Sequence, residues 1–158
     1  PKRVYVESVE AAGVHAPSVV SGPDERPETR GQPVSWWYKC TVKGGREERD
    51  VDVVQIARGV ERLGAGELLV NSIDRDGSHA GFDVQLVDLV RSSVSIPVVA
   101  SSGAGCADHF CEVFAPRPGA QGAPIEAALA AGIFHREQVS IASVKARCAS
   151  AGYSMRHA

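Results

Sequence analysis

An α/β fold built on a parallel sheet is what this chain of 158 residues predicts, and three observations carry the expectation. Apolar strand-like runs start near Glu67, Ile96 and Ala127, at intervals of roughly 30 residues, the size of one βα unit. Amphipathic stripes with helix-capping residues lie between them. Each run ends in small or polar residues, and a parallel sheet delivers all such ends to one rim, where ligands bind. The run from Gly64 to Gly77 shows the pattern most fully: a helix stop, the apolar segment Leu68-Leu69-Val70, then an acidic loop with Asp74, Asp76 and Gly77. A continuous apolar run bounded by glycines reads as a strand covered on both faces.

Composition narrows the partner classes. A net charge of -2 with both signs interspersed lacks the basic face of a nucleic-acid binder. No apolar run approaches the roughly 18 residues of a membrane span. The expected partner is a small molecule or another protein, with no nucleic acid and no membrane. Cys40, Cys106, Cys111 and Cys148 show no CxxC spacing and no histidine at ligand intervals, so they read as free thiols in a reducing compartment, with no metal and no cofactor. Opening at Pro1 without a start methionine or leader, the chain reads as an internal fragment.

Along the chain, Lys2 to Val9 alternates as an extended segment. The 10–33 stretch, with Pro17, Pro23, Pro27 and Pro33 among glycines and charges, predicts a long mobile loop. Residues 35–46 predict a hairpin arm, aromatic at Trp36, Trp37 and Tyr38 and turning at Lys43-Gly44-Gly45-Arg46. Adjacent tryptophans on a strand point to opposite faces, so one is expected inside and the other at a surface or interface. Val53, Ile56, Val60 and Leu63 mark a helical stripe, with Asp50 or Asp52 as N-cap and Gly64 at the C′ position. Asp83 caps a second helix bearing Leu86, Val87, Leu89 and Val90, stapled by Phe82 and ending near Ser92. The strand from Ile96 to Ala100 runs into Ser101-Ser102-Gly103-Ala104-Gly105, and a helix with Phe110, Val113 and Phe114 follows. After a Pro/Gly loop from Ala115 to Pro124, Ile125 to Gly132 reads as a further strand, and Ser140 caps a last helix with Ile141, Val144 and Cys148 on one stripe.

Two rim loops, Ser101 to Gly105 and Ala131-Gly132, join small residues to a helix start, so backbone N–H groups can close on an anion with the helix dipole behind them. Tight packing is the plain alternative for either loop alone. Asp74 and Asp76 admit a division of labour in which backbone hydrogen bonds hold one while the other faces a substrate and exchanges protons with it; an Asx turn is the equal alternative. Glu67 stands at the opposite end of its strand, where a carboxylate needs a partner. His79 is near enough to the acidic loop to touch a ligand, whereas His109 and His135 sit at helix starts as capping or solvated groups.

At Lys43-Gly44-Gly45-Arg46-Glu47, Gly64 to Leu69, Asn71-Ser72-Ile73-Asp74-Arg75-Asp76-Gly77, Gly81-Phe82-Asp83, Ile96-Pro97-Val98 through Gly105, His109-Phe110 and Ala127 to His135, the sequence resembles the carboxyl-terminal half of the cyclase part of imidazole glycerol phosphate synthase. The Ser101 to Gly105 wording and the aromatic hairpin resemble the plant, algal and fungal form, in which a glutaminase domain is fused ahead of the cyclase. The resemblance implies a (β/α)8 TIM-type phosphate-binding barrel, of which residues 1–158 would be the second half with about four βα units. It implies a histidine-biosynthetic lyase that uses ammonia from glutamine to cleave and cyclise a phosphoribulosyl-formimino aminoimidazole-carboxamide ribonucleotide. By the same resemblance Asp76 assists catalysis, and Asp76 and Gly77 contact substrate. Gly103, Ala131 and Gly132 bind a phosphate through backbone N–H groups with Ser101 close by, and Glu67 gates ammonia. The two principal aspartates of the family fall outside this chain. Implied partners are a phosphorylated substrate, a glutaminase domain or subunit and the amino-terminal half of the barrel; the implied location is the cytoplasm, or the plastid in a plant or alga. The rival expectations are the sister isomerase of the same pathway and a non-catalytic phosphate-binding module.

Overall fold

The computed structural model describes residues 1–6, 18–117 and 124–156. The first third of the chain is an antiparallel sheet. Strands β1 (Lys2–Val6), β2 (Val20–Pro23), β3 (Pro33–Val42) and β4 (Glu47–Asp52) all pair with β3, which aligns Arg3 with Tyr38, Val20 with Trp36 and Thr41 with Glu48. The hairpin turn at 43–46 is where the sequence places it, but the arm is longer than 35–46, running from Pro33 to Asp52. The 10–33 stretch differs more: residues 7–17 lie outside the described residues, and the remainder holds β2 and a tight turn instead of a loop alone. That turn is organised by Asp24, buried at 1% exposure, whose carboxylate accepts from the Arg26 guanidinium at 2.6 Å and from the Thr29 hydroxyl. Its backbone closes the turn through Asp24 N–H to Gln32 O and Gly31 N–H to Asp24 O, both 2.8 Å. Both tryptophans are buried, Trp36 at 0% and Trp37 at 5%; Trp36 lies under the Arg3 guanidinium and Trp37 under the Lys39 ammonium, so a cation and its aliphatic stem cover the second ring in place of a partner surface.

A helix, α1 (Val53–Arg62), leads into the second layer: β5 (Leu68–Asn71), α2 (Val84–Arg91), β6 (Val98–Ser101), α3 (Ala107–Phe114), β7 (Ala127–Leu129), α4 (Gly132–His135) and α5 (Ile141–Ser150). Strands β5, β6 and β7 are parallel and adjacent in chain order. They are three parallel strands among the described residues where four βα units were expected, because the amino-terminal strand joins the antiparallel sheet. Neither sheet closes on itself. Asp52 is the N-cap of α1, in a capping box with Gln55, and Gly64 takes φ +99 after the helix end. Asp83 caps α2 and Ser140 caps α5 through their side chains.

The α1 stripe is rotated from expectation. Val53, Val54 and Ala57 are buried, while Ile56 is 44% and Leu63 88% exposed. The parallel sheet is likewise covered on one face only. Val70, Val98 and Ala100 pack with Leu86, Val87, Val90, Phe110 and Val113 in the core. On the opposite face, Leu69 is 57% and Leu129 45% exposed, so the two-sided burial expected of Leu68-Leu69-Val70 is not met within this chain. No helix among the described residues is long and apolar enough to cross a membrane.

Candidate functional site

The acidic loop between β5 and α2, residues 72–83, is gripped from behind by the antiparallel arm. Ile73 N–H donates to Pro1 O at 2.9 Å, Arg3 N–H to Asp74 Oδ2 at 2.7 Å, and the Arg75 guanidinium pairs with Glu25 at 2.6 Å. At the loop's far end Asp83, 1% exposed, accepts from Tyr38 Oη at 2.9 Å, Arg3 Nη2 at 3.0 Å and the Leu86 N–H at 3.2 Å. Burial opposes the charge on Arg3, but the adjoining Asp83 carboxylate outweighs it and holds the guanidinium above its ordinary pKa; burial, then Asp83, drives the Tyr38 phenol upward. A buried carboxylate with this many donors fixes where the loop starts and stops.

The two aspartates of the loop therefore part company. Asp74 turns to the arm and is consumed by the Arg3 amide. Asp76 turns to the other side, into a cavity of about 290 Å³ at the carboxyl ends of β5, β6 and β7. The same cavity is lined by Gly77, Ser101, Gly103, Ala131 and Gly132, so the sequence-predicted rim residues converge on one space. Asn71, His79 and Arg136 line it as well. Asn71 acts as the internal brace: its Oδ1 accepts from Ser102 Oγ at 2.6 Å and Ser101 Oγ at 3.3 Å, and Ser102 is thereby held at φ 79.

The two glycine turns are not alike. A Cβ on Gly103, at φ +95, would stand 2.1 Å from Gly81 O, and one on Gly105 would stand 2.3 Å from His79 O; Gly81 N–H also donates to Gly103 O at 2.8 Å. These glycines exist so that the β6 turn can lie against the acidic loop, backbone on backbone. The nearest neighbour of a Cβ on Gly132 would be the Arg136 guanidinium, whose Nη2 stands 2.8 Å away. Among the described residues no intramolecular acceptor serves the N–H groups of Gly103, Ala104, Gly132 or Ile133, which leaves them available to an anion. The expected help from a helix dipole is small, since α4 has only four residues and too few aligned peptides to sum. Charge at this rim comes instead from Arg136, which no motif singled out.

Glu67 precedes β5 at the end remote from the cavity, exposed and without an ion pair among the described residues. His109 accepts the Gly105 N–H at 3.0 Å through Nδ1, closing the turn before α3. Cys111 and Cys148 sit 3.8 Å apart between α3 and α5 as free thiols, and burial pushes the Cys148 thiol up to about 11. The described residues hold no cluster of three or more metal-ligating side chains.

Residues 9–140 match the histidine biosynthesis protein family. Imidazole glycerol phosphate synthase hisHF of Schizosaccharomyces pombe is 50% identical over 145 residues, covering 92% of this chain and 25% of the relative. The chloroplastic hisHF of Arabidopsis thaliana is 48% identical over 145 residues, 92% of this chain and 22% of the relative. Imidazole glycerol phosphate synthase subunit HisF of Halobacterium salinarum is 45% identical over 122 residues, 77% of this chain and 42% of the relative. The chain thus spans about a quarter of the length of its fungal and plant relatives and less than half of the archaeal one.

Proposed function

The chain belongs to the histidine biosynthesis protein family, and from that premise we propose that it forms the carboxyl-terminal half of the cyclase barrel of an imidazole glycerol phosphate synthase. The observation that carries the reading is the convergence of Asp76 with the small-residue turns of β6 and β7 on one cavity. The Asp76 carboxylate accepts no intramolecular hydrogen bond among the described residues, its N–H alone donating to Ile73 O, which suits a carboxylate that meets substrate, while the Asp74 carboxylate is occupied. Gly77 opens the approach beside Asp76. The N–H groups of Gly103, Ala131 and Gly132, with the Ser101 hydroxyl nearby, take one phosphate of the ribulosyl nucleotide and so orient the reacting atoms over Asp76. Asp76 assists proton transfer there; the family's two principal aspartates belong to the part of the enzyme that this chain does not include.

Ammonia from a glutaminase domain or subunit enters from the opposite end of the strands, where exposed Glu67 serves as its gate. The uncovered sheet face with Leu69 and Leu129 receives the amino-terminal half of the barrel, completing residues 1–158 as one domain with it. The enzyme works in the cytoplasm, or in the plastid of a plant or alga.

The test is ammonia-dependent consumption of the ribulosyl nucleotide by this chain alone and after addition of the matching amino-terminal half. Activity in the mixture only is expected, and Asp76→Asn should lower it by about 10²-fold. A folded mixture that turns over nothing, or that isomerises the ribosyl precursor instead, would sink the cyclase reading.

A further inference from the structure

Resting on the phosphate-cradle reading above, we infer that Arg136 is the side-chain cation of the cradle, clamping a dianionic phosphate ester over the β7 turn in exchange for its contact with His79. Arg136 Nη2 lies 2.9 Å from His79 Nε2. A guanidinium only donates, so His79 must accept there, with its proton on Nδ1. The other polar contact of Arg136 is Nε to Gln138 Oε1 at 3.5 Å. Both partners are neutral. Arg3, Arg26, Arg49, Arg75, Arg91, Arg117 and Arg147 each pair with a carboxylate; Arg136, like Arg58 and Arg62 of α1, has no such partner among the described residues, but unlike them it lines the cavity.

Its position gives that uncompensated charge a use. Arg136 lines the same cavity as Asp76, and its guanidinium Nη2 lies 2.8 Å from where a Cβ on Gly132 would stand. Glycine at 132 therefore does two things: it bares an N–H to the cavity and lets a planar cation lie across it. A phosphate brought to backbone N–H groups alone would also feel the Asp76 carboxylate in the same 290 Å³. A guanidinium on the same rim offsets that repulsion, and its two-pronged geometry matches two phosphate oxygens. The cation permits acid/base carboxylate and phosphate to share one rim.

The experiment is calorimetric titration of the intact protein with inorganic phosphate, at fixed and then varied salt. Arg136→Met should raise the phosphate Kd by about tenfold or more, flatten the salt dependence and leave thermal unfolding unchanged. Arg136→Lys should recover part of the affinity, since it keeps the charge and loses the fork. His79→Ala should bind phosphate as tightly as the parent or more tightly, because it removes the competing acceptor. An Arg136→Met protein that melts normally and binds phosphate with the parent Kd overturns the inference while leaving the backbone cradle standing. A His79→Ala loss equal to that of Arg136→Met overturns it too, by making the pair structural. Parent protein that binds no phosphate removes the cradle, and this inference with it.

Discussion

The antiparallel arm and the parallel layer are held together by different physics. In the arm, buried aromatic rings alternate with buried charge: Trp36, Trp37 and Tyr38 stand among Arg3, Asp24 and Asp83, the last contributed by the other layer. In the parallel layer the interior is apolar, mostly aliphatic from Val70 through Leu86, Val87, Val90, Val98 and Val113 with Phe82 and Phe110 packed edge to face among them, and polar groups collect at the rim. The contrast assigns each region its task. Directional, desolvated hydrogen bonds fix a position to within tenths of an ångström, and the arm spends them on holding the acidic loop. Aliphatic packing is non-directional; it supports a rim whose geometry is then set by glycine.

The sharpest way to break this division is at the rim. Gly103→Val places a β-branched carbon 2.1 Å from Gly81 O at φ +95 and should cost about 4 kcal/mol or more, by combining backbone strain with a clash against main chain. Chemical denaturation measures it, and a loss under about 1 kcal/mol would mean that the β6 turn can slide away from the acidic loop.

Next in size, Arg3→Met strands the Asp83 charge in the interior and should cost about 3 kcal/mol. Hydrogen exchange would locate the damage: faster exchange across residues 72–83 and the first turn of α2, with the α3 and α5 amides protected as before. Uniform loss of protection would show that the arm stabilises the whole layer and not the loop alone.

A pH titration separates two buried carboxylates of the arm. Bonds from Arg26, then Thr29, hold Asp24 well below its ordinary pKa of 3.8, so its stabilisation is complete above that value and is lost as pH falls below it toward the folded pKa. Burial raises Asp52 above 3.8, so its contribution has the opposite sign and weakens as pH climbs above that value. The protection of the Gly31 amide, relative to its intrinsic exchange at the same pH, should therefore fall as pH drops below 3.8 in the parent, and in Asp24→Asn it should already be low near neutral pH. A Gly31 protection factor unchanged by acidification would remove the Asp24 charge from the account. The smallest effect belongs to Leu69→Ser, which should change the stability of this chain by less than about 1 kcal/mol because the side chain is 57% exposed. The same substitution should markedly weaken association with a complementing half barrel.

Much of this was legible from residues whose chemistry is local. Asp83 and Ser140 announce their helices because a short acceptor before an apolar stripe has one good use, and Gly64 marks a left-handed end for the same reason. The loop between Asp74 and Asp76 admitted either a division of labour or an Asx turn; it is the fold that gives Asp74 to the Arg3 amide and leaves Asp76 lining the cavity. What was hidden depends on partners remote in sequence. β2 sits in a Pro/Gly-rich stretch and is recruited by β3; β4, Glu-Glu-Arg-Asp-Val-Asp, is too charged to read as a strand and pairs as the exposed edge of the hairpin. The buried stripe of α1 lies one position round the wheel from the apolar periodicity, because Ala57 gives a weak periodic signal and yet is buried. Arg136 carried no spacing motif: only the fold brings it, 57 residues away in sequence, to His79.

The backbone contacts between the β6 turn and the acidic loop have a bearing on recombination. Because Gly81 touches Gly103 and His79 touches Gly105 main chain to main chain, the two loops form one cassette split across two successive βα units. A chimera that takes the first loop from one homologue and the second from another inherits a collision wherever either parent carries a β-carbon at 103 or 105. Exchange of specificity by loop grafting therefore has to move residues 72–83 and 101–105 together.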